Sequence, residues 1–407
     1  MAALARCQPA PDHLHSRRCI LTYPTLAVTR LTLTRFRSYA LARLECDARP
    51  VVLTGENGAG KTNLLEAVSF LAPGRGMRRA KLCDAERIGD SHAADWTGGP
   101  GWAIAAQVQT PLGPVEIGTG RDPAGGESER RLVHIDGRPA KGQIALAEHV
   151  AVVWLTPQMD RLFQEAASGR RRFLDRLVFG FDPGHAGRLT KYENALRERA
   201  RILRDGPVDP AWLSALEDQM VETGIAVAAA RAEMARRLEA AASQGVGPFP
   251  APGIRMAGAI DELLADRPAL EAEEGFRRAL ADGRRVDAVA GGAGIGPHKS
   301  DLSVTYRAKN MPAELGSTGE QKALLIAIVL ANARLMKAET GTPPLLLLDE
   351  VAAHLDEGRR QALFDEILAT GAQAWMTGTD AEIFRPLAGR ATHILVAQSQ
   401  LSHAEIW

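Results

Sequence analysis

The chain contains 407 residues, of which 45% are apolar and 24% are charged, and its 49 basic and 49 acidic side chains leave no net charge at pH 7. This composition excludes an intrinsically disordered protein, and the length favours more than one compact lobe. Because the overall charge is balanced, any nucleic-acid surface must come from an uneven distribution of basic side chains.

The N-terminal segment shows no targeting or membrane signal. Residues 1–24 contain basic side chains but lack the apolar stretch of a secretory signal, so we expect a flexible extension with no assigned function. No apolar run approaches the ~20 residues of a membrane-spanning helix. The four cysteines form no CxxC pair, which argues against a zinc site or a disulfide framework. We therefore expect a cytoplasmic protein without a membrane partner.

A strand-like pattern begins at Leu26. The segment LAVTRLTLTRF alternates apolar and polar residues, and RPVVLTG is a short apolar strand that leads into a glycine-rich loop. The helical pattern TNLLEAVSFLA follows the loop, and residues 102–155 contain short candidate strands separated by turns. A strand, a glycine-rich loop and a helix in this order are the context of a phosphate-binding loop.

Helical periodicity dominates the middle of the chain. Residues 161–204 are rich in basic side chains and carry apolar residues at helical spacing. A long helix is predicted from Trp212 to Ser243 and a weaker one over residues 261–282, before a loop at 290–301. Such apolar stripes are typical of ordinary helix packing.

The last third of the chain returns to an α/β pattern. From residue 321 a helix leads to the strand LLLLDE, a further helix, and the strands AWMTGT and HILVAQ. We therefore predict an α/β nucleotide-binding head whose halves, residues 25–160 and 291–407, are split by a mainly helical insert at 161–290. The insert is the candidate arm for DNA or a partner.

Residues 55–62 (GENGAGKT) fit the complete phosphate-loop pattern. Glycines let backbone N–H groups turn inward onto phosphates, and the following helix adds its positive end. Lys61 is predicted to reach the β and γ phosphates of ATP, and the Thr62 hydroxyl to bind Mg²⁺. The predicted ATP-binding residues are Gly55, Glu56, Asn57, Gly58, Ala59, Gly60, Lys61 and Thr62.

A second nucleotide element, LLLLDE, lies at residues 345–350. An acid that ends a buried strand can reach the metal ion of the nucleotide, which is the role predicted for Asp349. Glu350 is predicted to point the other way along the pleat, toward the γ phosphate, and to orient or deprotonate the attacking water. The alternative is a strand that simply ends in solvated acids. The presence of the phosphate loop in the same chain favours the nucleotide interpretation.

Two further motifs distinguish among the classes of phosphate-loop protein. The sequence LGSTGEQK at 315–322 opens a long helix and is similar to the signature motif of ABC-type ATPases. AHLD at 353–356 follows the acidic strand at the spacing of their D-loop. In ABC ATPases the signature contacts the ATP of a second subunit, so the resemblance implies a homodimer closed on two ATP molecules. An ordinary serine-capped helix start fits the same residues.

From about residue 26 onward the chain resembles the RecF family of bacterial recombination mediators, whose heads are ABC-like and related to those of SMC proteins. The resemblance implies an α/β head of the ABC/SMC type. Besides the phosphate loop and the signature, it rests on LTLTRFRSY at 31–39, LLEA at 64–67, GRGMR at 74–78, PQMD at 157–160, RRFLD at 171–175, GPHKSDL at 296–302 and LDEVAAHLD at 348–356.

The resemblance implies that three signature residues contact ATP across the dimer. These are Ser317, Gly319 and Gln321. Thr318 and Glu320 differ from the residues of many ABC signatures, so the details of the contact are left open.

The resemblance also implies roles for isolated residues. Gln158 follows a strand where ABC ATPases place their Q-loop glutamine, a metal and water contact, and Asp356 matches the D-loop acid. No histidine switch is recognisable in WMTGTD, where Thr377 or Thr379 is the candidate substitute.

The function implied by the family is ATP-dependent binding of DNA at gaps and single-strand/double-strand junctions. With RecO and RecR, such proteins help RecA to replace single-strand binding protein in DNA repair and replication restart. A weak ATPase is expected, in which ATP closes the dimer and hydrolysis releases it. Two basic clusters are candidate DNA-phosphate contacts, although each also fits a solvated helix face. They comprise Arg75, Arg78, Arg79 and Lys81, and Arg170, Arg171 and Arg172.

Three other classes fit the sequence less well. A transporter ATPase subunit, the main alternative, needs a surface for a membrane partner and has no use for a basic insert. An SMC structural protein needs a long heptad arm, which the broken helices of residues 161–290 cannot form. An enzyme of small-molecule metabolism would need a substrate-pocket motif, and none is recognisable.

Overall fold

The computed structural model describes residues 26–87, 101–121, 130–205, 209–245 and 247–404. The extension predicted at residues 1–24 lies outside this part of the chain. Within it, the chain forms two six-stranded sheets, a three-stranded sheet and a helical arm. Short 3₁₀ helices occupy Cys83–Ala85, Gln143–Glu148, Pro157–Arg161, Arg307–Lys309, Ala313–Leu315, Ala352–His354 and Glu382–Leu387.

The central sheet combines segments from both halves of the chain. Its strands are β3 (Val51–Thr54), β8 (Val152–Leu155), β12 (Leu345–Leu348), β13 (Ala374–Gly378), β14 (Thr392–Ala397) and β15 (Gln400–His403). They lie in the order β15-β14-β3-β13-β12-β8, and all neighbours are parallel except β14 and β15. The predicted split head is therefore one sheet, since β12 pairs with β8 on one side and β13 on the other.

A second, antiparallel sheet covers one face of the central sheet. Its strands are β1 (Ala27–Phe36), β2 (Tyr39–Glu45), β4 (Ala103–Thr110), β5 (Gly113–Arg121), β6 (Arg131–Ile135) and β7 (Arg138–Pro139). They lie in the order β2-β1-β4-β5-β6-β7. The strand predicted from LAVTRLTLTRF is confirmed as β1.

Both faces of the central sheet are buried, as continuous apolar strands such as LLLL predict. The first and third leucines of β12 pack toward the antiparallel sheet and helix α1 (Lys61–Ser69). The second and fourth pack toward helices α7 (Thr318–Thr340) and α8 (Glu357–Thr370). The head is thus a layered α/β structure, because alternate side chains of each strand enter different cores.

The described part of the insert forms five α-helices, which we call the arm. They are α2 (Ala167–Phe179), α3 (His185–Asp205), α4 (Pro210–Ser243), α5 (Ala259–Asp266) and α6 (Ala269–Ala290). The helix predicted from Trp212 to Ser243 is confirmed as α4. The weak helix predicted over 261–282 is instead two helices, α5 and α6, because Pro268 lacks an amide donor and restricts the residue before it.

A small sheet connects the arm to the head. Strand β10 (Asp301–Tyr306) pairs with β9 (Pro252–Ala257) on one side and β11 (Met311–Pro312) on the other. The sequence predicted none of these strands, because the prolines and glycines around β9 are typical of a loop. Strand β9 lies within the segment predicted as the insert, and its partner β10 lies within the second half of the head.

A fully buried arginine organises the interior of the arm. Arg199 on α3 donates to Glu217 Oε1 at 2.9 Å, to Asp287 Oδ2 at 2.8 Å and to the Leu280 carbonyl at 2.7 Å. It therefore ties α3 to α4 and α6. No helix among the described residues is both long and apolar enough to cross a bilayer.

We expect Arg199→Met to destabilise the arm by ~3–5 kcal/mol, because it leaves the buried Asp287 carboxylate without its cation and Glu217 with Arg284 as its remaining ion-pair partner. Urea denaturation combined with hydrogen exchange of α3 and α6 measures the loss. The matched control is Arg201→Ala on the same helix, whose ion pair with Glu198 is exposed and whose loss should change little. Equal stability of the two variants would contradict the assignment.

Candidate nucleotide-binding site

The predicted nucleotide motifs meet at one edge of the central sheet. The phosphate loop follows β3, the acidic pair follows β12, and the 3₁₀ helix Pro157–Arg161 follows β8. Parallel strands end at the same edge, which is where α/β sheets bind ligands. The prediction that residues of the two halves act together therefore has a topological basis.

The phosphate loop depends on glycines at two close approaches. Gly55 has φ +146°, and a Cβ at this position would lie 2.1 Å from the carbonyl oxygen of Val396 on β14. Gly60 has φ +115°, and a Cβ there would lie 2.7 Å from the Tyr39 hydroxyl, which donates to the Gly60 carbonyl at 3.1 Å. Any larger residue would push the loop away from the sheet.

Lys61 is folded into its own loop. Its Nζ donates to the carbonyl oxygens of Gly55 at 2.7 Å and Glu56 at 2.8 Å. Burial lowers the pKa of Lys61, and the nearby carboxylates of Glu350 and Asp349 oppose this shift. The ammonium group thus lies between the loop and the acids that follow β12, where a nucleotide phosphate is expected.

Hydroxyl groups link the two halves of the site. The Thr62 hydroxyl donates to Asp349 Oδ1 at 3.0 Å, and the Thr377 hydroxyl donates to the same oxygen at 2.8 Å. Thr377 also accepts from the backbone N–H of Glu350 at 2.8 Å. Burial raises the pKa of Asp349, and the two hydroxyl donors oppose this shift. Thr377 therefore positions both predicted acids.

Glu350 adopts a left-handed backbone conformation with φ +54°. This conformation is uncommon outside glycine and signals local strain. Because β12 ends at Leu348, this turn, rather than the alternation of a strand, sets the direction of the Glu350 side chain. The hydrogen bond from its N–H to Thr377 holds the turn.

The residues present fit a magnesium–nucleotide complex. No cluster of three or more histidine, cysteine or acidic side chains within the described ranges could hold a metal alone. Mg²⁺ in nucleotide sites commonly takes only one or two protein oxygens in addition to phosphates and water. The Thr62 hydroxyl and the Asp349 carboxylate, already 3.0 Å apart, supply such a pair.

The signature motif begins α7 with an exposed serine cap. The Ser317 hydroxyl and backbone N–H both bind the Glu320 carboxylate, at 3.0 and 2.8 Å. Glu320 also pairs with Lys309, and these contacts hold its pKa near 2. The capping-box interpretation of these residues is confirmed. Ser317 and Gly319 are exposed, so a second molecule could reach them.

Gln321 behaves differently from the other signature residues. It is buried, and its Nε2 donates to the Gly316 carbonyl at 2.8 Å and the Glu314 carbonyl at 3.3 Å. In this conformation Gln321 holds the loop that precedes α7. A direct contact with ATP would require its side chain to turn outward.

The predicted Q-loop and D-loop residues lie on the surface of the head. Gln158 is exposed in the 3₁₀ helix after β8. Asp356 is exposed as the N-cap of α8, where its Oδ1 accepts from the Arg359 N–H at 2.8 Å. Neither side chain contacts the phosphate loop, so their roles stay predictions.

The seven basic candidates divide into two groups. Three are engaged within the protein: Arg78 pairs with Glu66, Arg170 with Asp301, and Arg171 donates to the Ser300 carbonyl. The other four, Arg75, Arg79, Lys81 and Arg172, are exposed, and of these Arg75 also has an interaction within the protein.

Sequence reasoning assigned no role to several supporting residues, although Tyr39 and Glu66 lie within motifs that carry the family resemblance. Tyr39 braces the phosphate loop, Lys309 pairs with the signature acid, and Glu66 on α1 receives both Arg37 and Arg78. Their partners lie 11 to 29 residues away, beyond any local spacing rule. Thr377, by contrast, is singled out by the sequence, together with Thr379, as a candidate switch residue.

Comparison with known proteins identifies close relatives of the chain. A Mesorhizobium japonicum protein named DNA replication and repair protein RecF is 50% identical over 380 residues, which cover 93% of this chain and 98% of the relative. The protein of the same name from Agrobacterium fabrum is 50% identical over 379 residues, with the same coverage. A scan against protein-family models found no match.

Solved structures show the same fold. A structure of the recombination mediator protein RecF with ATP has a TM-score of 0.79 at 18% identity and covers 97% of this chain and 100% of that one. An SMC head domain from Pyrococcus furiosus has a TM-score of 0.51 at 15% identity, with coverages of 94% and 97%. The predicted ABC/SMC-like head is thus confirmed, and, with half of its residues identical to curated relatives over nearly its whole length, the chain belongs to the RecF family.

Proposed function

We propose that this protein is an ATP-dependent, DNA-binding recombination mediator that dimerises on ATP at gapped DNA. The observation that carries the proposal is the hydrogen-bond chain at the end of the phosphate loop, in which the Thr62 and Thr377 hydroxyls both donate to Asp349 and Thr377 accepts from the Glu350 N–H. This arrangement is suited to holding a nucleotide with its metal and to activating a water molecule. The names of the relatives, DNA replication and repair protein RecF, support the setting in DNA repair.

The chain's own residues suit each part of ATP hydrolysis. The loop amides and Lys61 bind the phosphates, and Lys61 exchanges its two carbonyl partners for phosphate oxygens. When bound, Mg²⁺ neutralises charge that develops on the phosphates. Glu350 orients the attacking water and takes its proton as the bond to the γ phosphorus forms and the bond to ADP breaks. The products are ADP and inorganic phosphate.

The exposed signature supports a site that is shared between two copies. The Ser317 hydroxyl, the Gly319 amide and the N-terminus of α7 face outward, as a trans contact to a γ phosphate requires. Hydrolysis would remove the γ phosphate and so release the dimer. The ATPase is expected to be slow, because each turnover follows closure of two molecules.

The proposal also includes a pathway and binding partners for the protein. In the solved RecF structure the protein is placed in the RecFOR pathway, and we extend that pathway to this chain. RecR, RecO and RecA are the proposed protein partners, and gapped DNA is the proposed nucleic acid. Basic side chains would hold DNA through its phosphates without reading its sequence.

Lys61→Ala should weaken ATP binding by about 100-fold or more, because it removes a charged donor that no neighbour can replace. Fluorescent-nucleotide titration measures the affinity. Lys81→Ala, which removes an exposed lysine of the same lobe, is the control and should bind ATP normally. Equal affinities for the two variants would refute the phosphate-loop assignment.

Glu350→Gln should bind ATP but hydrolyse it at least ~100-fold more slowly, because an amide cannot accept the proton of water. The ATP-bound dimer should therefore persist on gapped DNA, as measured by light scattering and gel shift with and without ATP. Glu382→Gln changes an exposed acid and serves as the control. A monomeric Glu350→Gln protein in saturating ATP and magnesium would overturn the closure mechanism.

Thr377→Val should lower ATP turnover by about 10–100-fold, the usual effect of losing a group that orients a metal ligand. Valine cannot donate to Asp349 or accept from the Glu350 N–H. The magnesium dependence of turnover should shift to higher concentration, while nucleotide affinity without magnesium stays unchanged. Thr377→Ser keeps the hydroxyl and should restore activity. If serine and valine behave alike, Thr377 does not position the acids.

A further inference from the structure

A cavity of about 220 Å³ lies where the arm meets the head. Helices α2, α3 and α4 and the loop before β10 form most of it, and Arg79 enters from the loop that follows α1. Its charged lining residues are Arg79, Arg171, Arg172, Arg231, Asp175 and Glu193. Four arginines against two acids make the cavity strongly basic.

The GPHKSD segment at residues 296–301 forms one wall of the cavity. His298 Nε2 lies 2.9 Å from the Ala293 carbonyl, and His298 Nδ1 lies 2.6 Å from the Tyr192 hydroxyl. Because a carbonyl can only accept, Nε2 donates to it, and Nδ1 accepts from the hydroxyl. Arg231 donates to the Pro297 carbonyl at 2.6 Å. Contacts from Tyr192 on α3 and Arg231 on α4 therefore hold this segment in place as a wall of the cavity.

The four arginines of the cavity are not equivalent. Arg231 is buried and binds Asp175 through two hydrogen bonds of 2.8 Å, and Arg171 donates to the Ser300 carbonyl at 2.6 Å. Arg79 and Arg172 are exposed. Over the part of the chain that the structure describes, neither of their guanidinium groups makes a hydrogen bond or a salt bridge. The guanidinium groups of Arg79 and Arg172 therefore both line the cavity with N–H donors available for a ligand.

The charges around Arg79 are mostly of one sign. Burial lowers the pKa of Arg79, and Arg172 and Arg75 lower it further, with only Glu193 opposing. Asp175 does not relieve this repulsion, because Arg231 and His185 already hold it. A bound anion would relieve it.

We propose that this cavity binds a phosphate group between the guanidinium groups of Arg79 and Arg172. The planar fork of arginine matches the oxygens of a phosphate and can bind two of them at once. The phosphate belongs to the DNA backbone or to a free phosphate ion, which share this chemistry. The proposal deepens the proposed function and rests on it for the DNA source.

The position of the site gives the phosphate a structural role. Arg79 follows Arg78, which is anchored to Glu66 of the phosphate-loop helix at 2.9 Å, whereas Arg172 belongs to the base of the arm. One phosphate held by both residues would connect the nucleotide-binding lobe to the arm. DNA occupancy of this cavity would therefore stabilise one arrangement of these two parts.

The test compares DNA affinity at several salt concentrations, using the full chain, gapped duplex DNA and saturating ATP. The variants are Arg79→Ala/Arg172→Ala, the control Arg43→Ala at an exposed arginine of β2, and Glu193→Gln, which removes the opposing acid. The double variant should bind DNA about tenfold more weakly and lower the slope of log affinity against log salt by about 1 relative to Arg43→Ala. Glu193→Gln should bind severalfold more tightly, a gain that misfolding cannot produce.

A second measurement separates the two sources of phosphate. Millimolar inorganic phosphate should raise the melting temperature of the wild-type protein more than that of the double variant; the phosphate loop contributes equally to both. Loss of this shift with unchanged DNA binding assigns the site to free phosphate. A double variant that matches Arg43→Ala in both measurements, with Glu193→Gln equal to wild type, overturns the proposal. Wild-type protein that binds no DNA refutes the proposed function instead, and the phosphate shift still tests the cavity.

Discussion

The nucleotide site depends on one buried strand that joins distant parts of the chain. Strand β12 is fully buried and pairs with β8 on one side and β13 on the other, while β13 also pairs with β3. This pairing brings Asp349 within 3.0 Å of Thr62, which lies 287 residues earlier. Without β12 in this position, the phosphate loop would face no carboxylate from this strand, and β8 would lose its partner strand in the sheet.

The polar groups at this edge of the sheet satisfy one another. Burying a charged or polar group costs free energy unless it has partners, and here Thr377 supplies them to both acids. Lys61 similarly finds carbonyl partners in its own loop. The groups that would act on a nucleotide bound in cis are therefore held inside the head, whereas Ser317 at the start of α7 is exposed. A nucleotide site completed by a second copy of the chain requires buried residues for the nucleotide bound in cis and exposed signature residues for the nucleotide of the other copy.

The basic residues illustrate why charge in a sequence is ambiguous. Three consecutive arginines look alike in the sequence, yet Arg170 forms an ion pair with Asp301 and Arg171 binds the Ser300 carbonyl, while Arg172 is exposed and has no such partner among the residues the structure describes. Successive helical residues point in different directions, so neighbours in sequence meet different surroundings. The partners of Arg170 and Arg171, Asp301 and the Ser300 carbonyl, both belong to the 296–301 segment.

The sequence by itself determined the chemistry of the phosphate loop and the long helices, because these features depend on glycine placement, side-chain spacing and caps within one local segment. It did not reveal β2, β9, β10, β11 or β15, which are stabilised by pairing with neighbouring strands. Only the tertiary structure decided that Thr377 joins both acids and that Arg79 and Arg172 share a cavity. The physical reason is that these contacts join residues far apart in the chain, so no local pattern encodes them.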